Sequence, residues 1–438
     1  MSNGFNKEIV AGQNFYYLPA PFMALKVSVD DAYNSEKMKK AVLQLETAHP
    51  TINNVIEKTK EKMCFKDAGV HVPLHENKGT EVDWKDIVKQ VVQQSVDLTK
   101  STGVSVHVVD EGNYFDLIII CHHIYGDGIS LKQLMDDLLY IYNTGHDVKP
   151  REGKITLTEE DLPETCKIPE AMRTALKGLI ETWEDRNVEF SYKDYEKLND
   201  MHHATVGYGM EHRRIKGTTY RKLKGKCKEL NVTLNSALST AIACVLQDNK
   251  EIDALIAADT RDLFRMSGKK GLANCASCVK PTIKYDKSID FWDNVKIVDT
   301  QVKEERANIE KLMSTFQILM LLKGDILASG YFAQYGLYYD KEVISALMGA
   351  LSLGSDIESF DVSNIGIANF ETNSEDFKLR HCCYIPNITM TCDCTFGAVT
   401  MDGTLDISLA YKANNLKNKE QDAVVLIDSV IKTLINFI

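Results

Sequence analysis

The chain has 438 residues, with 51 Lys and Arg against 62 Asp and Glu, a formal net charge of −11. With 44% hydrophobic and 26% charged residues it has the composition of a folded globular protein rather than a disordered one, and the length suits roughly two to three domains. The acidic balance argues against a nucleic-acid binder, which needs a basic face to neutralise phosphates, and weakens attraction to an anionic membrane surface.

In chain order, Met23 to Val29 alternates as a half-buried strand. Asn34-Ser35 then opens a helix whose apolar face is Met38, Ala41, Val42, Leu45 and Ala48, and Pro50 stops it. Val104 to Val109 and Phe115 to Cys121 read as strands. Leu117 to Cys121 is apolar on both faces, which predicts a strand covered on both sides of its sheet. Ile129 to Tyr142 is helical, with Leu131, Leu134, Met135, Leu138 and Tyr142 on one face and Gly145 as its stop. The polar, proline-bearing stretch 146–190 is expected to connect two halves, 1–185 and 186–438.

The second half repeats the mixture. Thr233 caps a helix through Leu234, Leu238, Ala241, Ile242 and Val245. Strands are expected at Ala254 to Ala257 and Cys278 to Ile283, a helix from Phe291-Trp292, an alternating stretch over Gly397 to Ala410, and a last amphipathic helix over about Lys419 to Phe437. The apolar runs Ile318 to Leu322 and Ile344 to Leu353 are far shorter than the roughly 20 residues of a membrane span. Eleven irregularly spaced cysteines do not read as a disulfide framework, and no signal peptide is visible, so a cytoplasmic protein with reduced thiols is expected.

One string carries chemistry: Cys121-His122-His123-Ile124-Tyr125-Gly126-Asp127-Gly128, between the doubly buried strand and the helix after it. A chance HHxxxDG is expected on the order of once in a thousand chains of this composition. A neutral imidazole, with an ordinary pKa near 6.5, can take a proton from a hydroxyl or amine at neutral pH. Strand parity puts His122 and His123 on opposite faces, so only one can enter a given cleft. Asp127 is either the orienter of that imidazole or a structural anion. The bland alternative is a pair of satisfied histidines at a sheet end, followed by a turn.

HHIYGDG resembles the HHxxxDG signature of the chloramphenicol-acetyltransferase-like acyltransferases, a superfamily of condensation domains, alcohol acyltransferases and wax-ester synthases. Weaker likenesses follow in order: Ala48-His49-Pro50-Thr51-Ile52 to an HPxLR string, Asn231 to Asn235 to xVTLND, Asp259-Thr260-Arg261 to DLR, and Ser363-Asn364-Ile365-Gly366 to SNxG. The resemblance implies an α/β fold of two acetyltransferase-like subdomains facing each other as a pseudo-dimer around a central active-site tunnel. His123 would be the base, and His122 and Gly128 would support the motif. Asp127 would be structural and paired with Arg261, and Ser363 or Asn364 would position the donor. It also implies an acyl donor carried as a thioester of coenzyme A or of a carrier protein, a small-molecule acceptor, and neither a resident cofactor nor a metal. No DFGWG-like string of the plant acyltransferase branch is present, which argues against that branch; a carrier-type serine context and an adenylation-type segment are also absent, so the thioester is expected to come from coenzyme A or a separate carrier protein.

Three further features are weighed down. Met201-His202-His203 lacks a following Asp-Gly and reads as a surface or linker feature. His381-Cys382-Cys383 with Cys392 and Cys394 lacks the usual zinc-knuckle spacing. Lys269-Lys270 reads as a solvated pair sooner than as a phosphate contact.

Overall fold

A computed structural model describes residues 8–151, 156–246, 251–265, 271–350, 359–371, 377–390, 392–415 and 420–438. Lys269-Lys270 and the last three residues of the run Ile344 to Leu353 lie outside them.

Two sheets organise the chain. The first has five strands in the order Leu379–Ile385, Phe22–Val29, Phe115–His122, Val104–Asp110 and Leu74–Lys78. Its neighbours are antiparallel except for the last pair, which is parallel. The central strand Phe115–His122 is buried at every residue, as its two-sided apolar pattern requires. Leu117, Ile119 and Cys121 enter one core, beneath the paired helices Ser35–Ala48 and Gly128–Thr144. Ile118 and Ile120 enter another, with Ile87, Val88 and Val92 of the helix Trp84–Gln93.

The second sheet runs Thr282–Ile283, Ile252–Asp259, Ser359–Ile367, Cys394–Met401, Thr404–Tyr411, Gly209–Lys216, with Ala276–Val279 also paired to Ile252–Asp259. The helices Leu234–Leu246, Phe291–Ala307 and Glu420–Asn436 share its core.

Most expected elements stand where the patterns put them, and four differ for physical reasons. The stretch 146–190 holds a helix, Glu170–Arg186, because Leu176, Leu179 and Trp183 recur at helical spacing and are buried among its polar residues. Cys278 to Ile283 is two short strands, Ala276–Val279 and Thr282–Ile283, with Pro281, which cannot donate to a ladder, at the break. Gly397 to Ala410 is a hairpin that turns at Asp402-Gly403, both at positive φ. His202 is buried within the helix Tyr192–Val206, its Nδ1 2.8 Å from Tyr335 Oη, which corrects the surface or linker reading of that pair.

The division at residue 185 is crossed by the chain. Leu379–Ile385, from the second half, forms the edge of the first sheet against Phe22–Val29. Its exit passes close over the second sheet, where Ser408 Oγ donates to the Tyr384 carbonyl. A Cβ at Gly397 would stand 2.7 Å from that carbonyl oxygen and 2.6 Å from Pro386 Cδ, so only glycine permits the crossing. Among the described residues no single helix is long and apolar enough to cross a membrane.

Candidate active site

The strand Phe115–His122 delivers the two histidines to a one-turn 3₁₀ segment, His123–Tyr125, held by His123 N–H donating to the Pro21 carbonyl at 2.8 Å. His122 is 1% exposed; its Nδ1 accepts from Ile124 N–H at 3.2 Å, and its ring meets the edge of Phe22. Burial pushes its pKa down to about 3. Its place is structural.

His123 is partly accessible. The Phe15 ring stacks on one face of its imidazole, 4.4 Å between centroids and 9° from parallel. Asn274 Nδ2 lies 3.0 Å from Nδ1. Burial lowers the His123 pKa, opposed by a hydrogen bond to its own carbonyl and by the charge of Asp127. A lowered pKa keeps the imidazole neutral at pH 7, the form that can accept a proton.

Asp127 does not orient that imidazole. It caps the helix Gly128–Thr144, accepting from Ser130 N–H at 2.9 Å and Ser130 Oγ at 3.0 Å. Arg261 Nη2 donates to its two oxygens at 3.0 and 3.1 Å, and Cys275 N–H donates at 2.9 Å. Both partners of the ion pair are buried. Arg261 is further held by Asp259 Oδ1 at 3.2 Å and the Ala273 carbonyl at 3.1 Å. The pairing of Asp127 with Arg261 thus joins the first half to the second beside His123. Gly128 has a packing reason: a Cβ there would lie 2.6 Å from Ile365 Cγ2 and 2.9 Å from Tyr384 Oη. That contact seats the helix N-terminus against the strand Ser359–Ile367.

The pair of sheets has counterparts in known proteins. The condensation domain family model matches residues 14–156, which include the whole HHxxxDG string. That match covers residues 14–156 of 438, so the likeness in sequence to the condensation domain family is to the first part of the chain. Solved structures match nearly end to end. The trichothecene 15-O-acetyltransferase from Fusarium sporotrichioides matches with a TM-score of 0.65 at 12% identity, over 98% of this chain and 95% of that one. The first condensation domain of the calcium-dependent antibiotic synthetase gives 0.63 at 10%, over 99% and 96%. The epimerization domain from the third module of tyrocidine synthetase B gives 0.61 at 14%, over 99% and 96%. At these identities the likeness establishes the shared fold, two acetyltransferase-like subdomains. No curated protein matches at the sequence level.

The positions named by the resemblance differ in what they do here. Asn364 has its carboxamide engaged at both ends, Nδ2 donating to Asn235 Oδ1 at 2.6 Å and Oδ1 accepting from Gly366 N–H at 2.8 Å. The Ser363 hydroxyl stands 3.3 Å from Tyr384 Oη. Cys382 and Cys383 enter different cores, His381 Nε2 meets Ser28 Oγ at 2.8 Å, and Cys392 Sγ sits 2.9 Å from Asp361 Oδ1. These groups do not converge. Two clefts, of about 290 Å³ beside Thr233, Lys303 and Arg306 and about 410 Å³ beside Arg173 and Leu321, do not include His123.

Sequence reasoning missed Phe15, Ser130 and Asn274. Ser130 was legible as the third residue after a capping Asp. Phe15 and Asn274 come from distant segments, and nothing in their local pattern marks them.

Proposed function

We propose that the chain is an acyltransferase that moves an acyl group from a thioester, of coenzyme A or of a carrier protein, to a hydroxyl or amine of a small acceptor. The observation that carries this reading is His123: a partly accessible imidazole with a lowered pKa, at the junction of the two halves. The imidazole takes the proton of the acceptor hydroxyl or amine as the acceptor attacks the thioester carbonyl. The tetrahedral intermediate then expels the thiolate, which takes the proton back from His123, so base and product thiol balance. Asp127, with its oxygens bound to Arg261, Ser130 and Cys275, holds the frame and takes no proton. Of the two positioning residues named by the resemblance we retain Ser363, since the Asn364 amide is spent internally. The condensation domain match over residues 14–156 favours, as a second reading, amide formation between carrier-bound substrates by the same base. Thioester donors and eleven free cysteines suit the cytoplasm, where we place the protein.

The test is thiol release from a panel of acyl-coenzyme A and acyl-carrier thioesters offered with alcohol and amine acceptors. His123→Ala should lower the rate by about 10²–10⁴-fold. Equal rates for the variant and the wild type would end the base assignment.

A further inference from the structure

The net charge of −11 hides an uneven distribution. Residues Arg213 to Lys228 hold eight of the chain's 51 Lys and Arg, and neither Asp nor Glu. They form the end of the strand Gly209–Lys216 and most of the helix Gly217–Glu229. The helix buries Tyr220, Leu223 and Cys227 in the core of the second half and turns its other faces outward. Three of the eight cations have acidic partners: Arg213 with Asp428 at 2.6 Å, Arg214 with Asp406 at 3.3 Å and Lys226 with Glu229 at 2.8 Å. The other five, Lys216, Arg221, Lys222, Lys224 and Lys228, are exposed, and among the described residues none of them pairs with an acid. Arg221 bonds the Thr218 hydroxyl, at 3.2 Å.

This face is not arranged for helix stability. Arg221, Lys224 and Lys228, three and four residues apart, line one side of the helix over about 10 Å, and Lys222 and Lys226 make a further pair four apart. Like charges at those spacings destabilise a helix. Lys216 stands at the N-cap, where its side chain caps nothing and sets a cation at the positive end of the helix dipole. Gly225 lies inside the helix, where glycine is unfavourable, yet a Cβ there would meet nothing within 4 Å, so packing does not call for it. The outer face is therefore cationic and low in relief, and the buried side holds it together against its own repulsion. Breaches of local stability of this kind are expected where a surface serves a contact.

The chemistry of the face selects the partner. Protein–protein interfaces are depleted in Lys and draw their affinity from buried aromatic and Arg anchors. Four of these five cations are Lys, and none of the large exposed apolar side chains among the described residues lies on this helix. A cationic face without an anchor suits diffuse attraction to a flat anionic surface, to which each Lys or Arg adds a similar increment. Salt screens the negative charge on the rest of the molecule beyond about 8–10 Å, so the patch sets the orientation of approach.

We propose that the helix Gly217–Glu229 docks the protein on an anionic phospholipid surface, with Lys216, Arg221, Lys222, Lys224 and Lys228 facing the headgroups. The docking is peripheral and electrostatic, with nothing inserted into the acyl layer. It goes beyond the acyltransferase reading and does not depend on it.

The experiment is sedimentation of the full chain with vesicles of phosphatidylcholine alone and of phosphatidylcholine with about 30% phosphatidylserine, in about 0.1 M salt. The wild type should bind the anionic vesicles only, and release as salt is raised. The triple variant Lys222→Gln, Lys224→Gln, Lys228→Gln should bind on the order of 100-fold more weakly, about fivefold for each charge. Its melting temperature should be unchanged or higher, because like-charge pairs are relieved. The triple variant Lys40→Gln, Lys193→Gln, Lys197→Gln makes the same change in net charge at exposed lysines elsewhere and should bind as the wild type does. Absence of binding to the anionic vesicles, or an equal loss in both triple variants, would overturn the proposal. Binding to a short DNA duplex or to poly-L-glutamate as tight as to the vesicles would overturn it too, by showing a site for nucleic acid or for an acidic protein instead of for lipid.

Discussion

The Asp127–Arg261 pair offers the sharpest energetic test. Asp127→Ala removes a carboxylate that accepts from Arg261, Ser130 and Cys275. It strands a guanidinium of low exposure, at a cost of about 3–5 kcal/mol for breaking a buried pair from one side. The low end applies, because Asp259 still bonds Arg261 at 3.2 Å. The Cys275 N–H loses its acceptor, adding about 1–3 kcal/mol, and the lost helix cap adds about 1 kcal/mol. Because these terms share one carboxylate they overlap, and about 5 kcal/mol is the expected total for Asp127→Ala. Arg261→Ala leaves Asp127 with three of its donors, so about 3 kcal/mol is expected. The double variant should cost about 2 kcal/mol less than the sum of the two, since the second change removes a group that the first had already stranded. Urea unfolding of the four proteins, with equal m-values as the check on a common mechanism, measures that coupling. Strictly additive losses would mean that the two residues share no energetics and that the buried bridge is not what holds the cluster.

Three further outcomes are expected. Cys121→Ala should keep near-normal transfer, and no acyl adduct should form on protein incubated with donor alone, because burial pushes the Cys121 thiol up to about 12 and leaves it neutral. A mass increase on Cys121 would replace direct attack with a covalent route. Lowering the pH from 6.5 to 4 should lower the melting temperature. Burial holds His107, His122, His202 and His212 at about 3 and His203 and His381 at about 4, so the unfolded chain binds protons that the folded one refuses. The carboxyls raised by burial, Asp136, Asp361 and Asp406 (the last to about 7), act oppositely but are fewer. Each net proton is worth roughly 1.4 kcal/mol per pH unit; a melting temperature that rises on acidification would refute the balance. Finally, residues 1–185 expressed alone should aggregate, since they lack Leu379–Ile385 and so expose the edge of Phe22–Val29, a strand buried at every residue. A monomeric fragment that melts cooperatively would show that this edge can be left bare.

The sequence by itself determined the local elements and the motif. Apolar period and caps place the helices Ser35–Ala48 and Gly128–Thr144, and the two-sided run from Leu117 marks a central strand, because these depend on residues a few positions apart. The same locality made His123 and Asp127 legible as a pair at a strand end, and the resemblance to HHxxxDG proteins matched Arg261 to the ion pair that the structure contains. Tertiary structure decided the rest. Period-2 and period-3.6 patterns are silent about which sheet a strand joins, so the transfer of Leu379–Ile385 into the first sheet could not be read, although Gly397 is the residue that makes room for it. They are equally silent about polar contacts between segments far apart in sequence. Asn274 stands 151 residues from His123, and Phe15 comes from near the start of the chain. The closure of the two halves over a buried ion pair brings Asn274 to the imidazole, and the segment that leads into Phe22–Val29 carries Phe15 there.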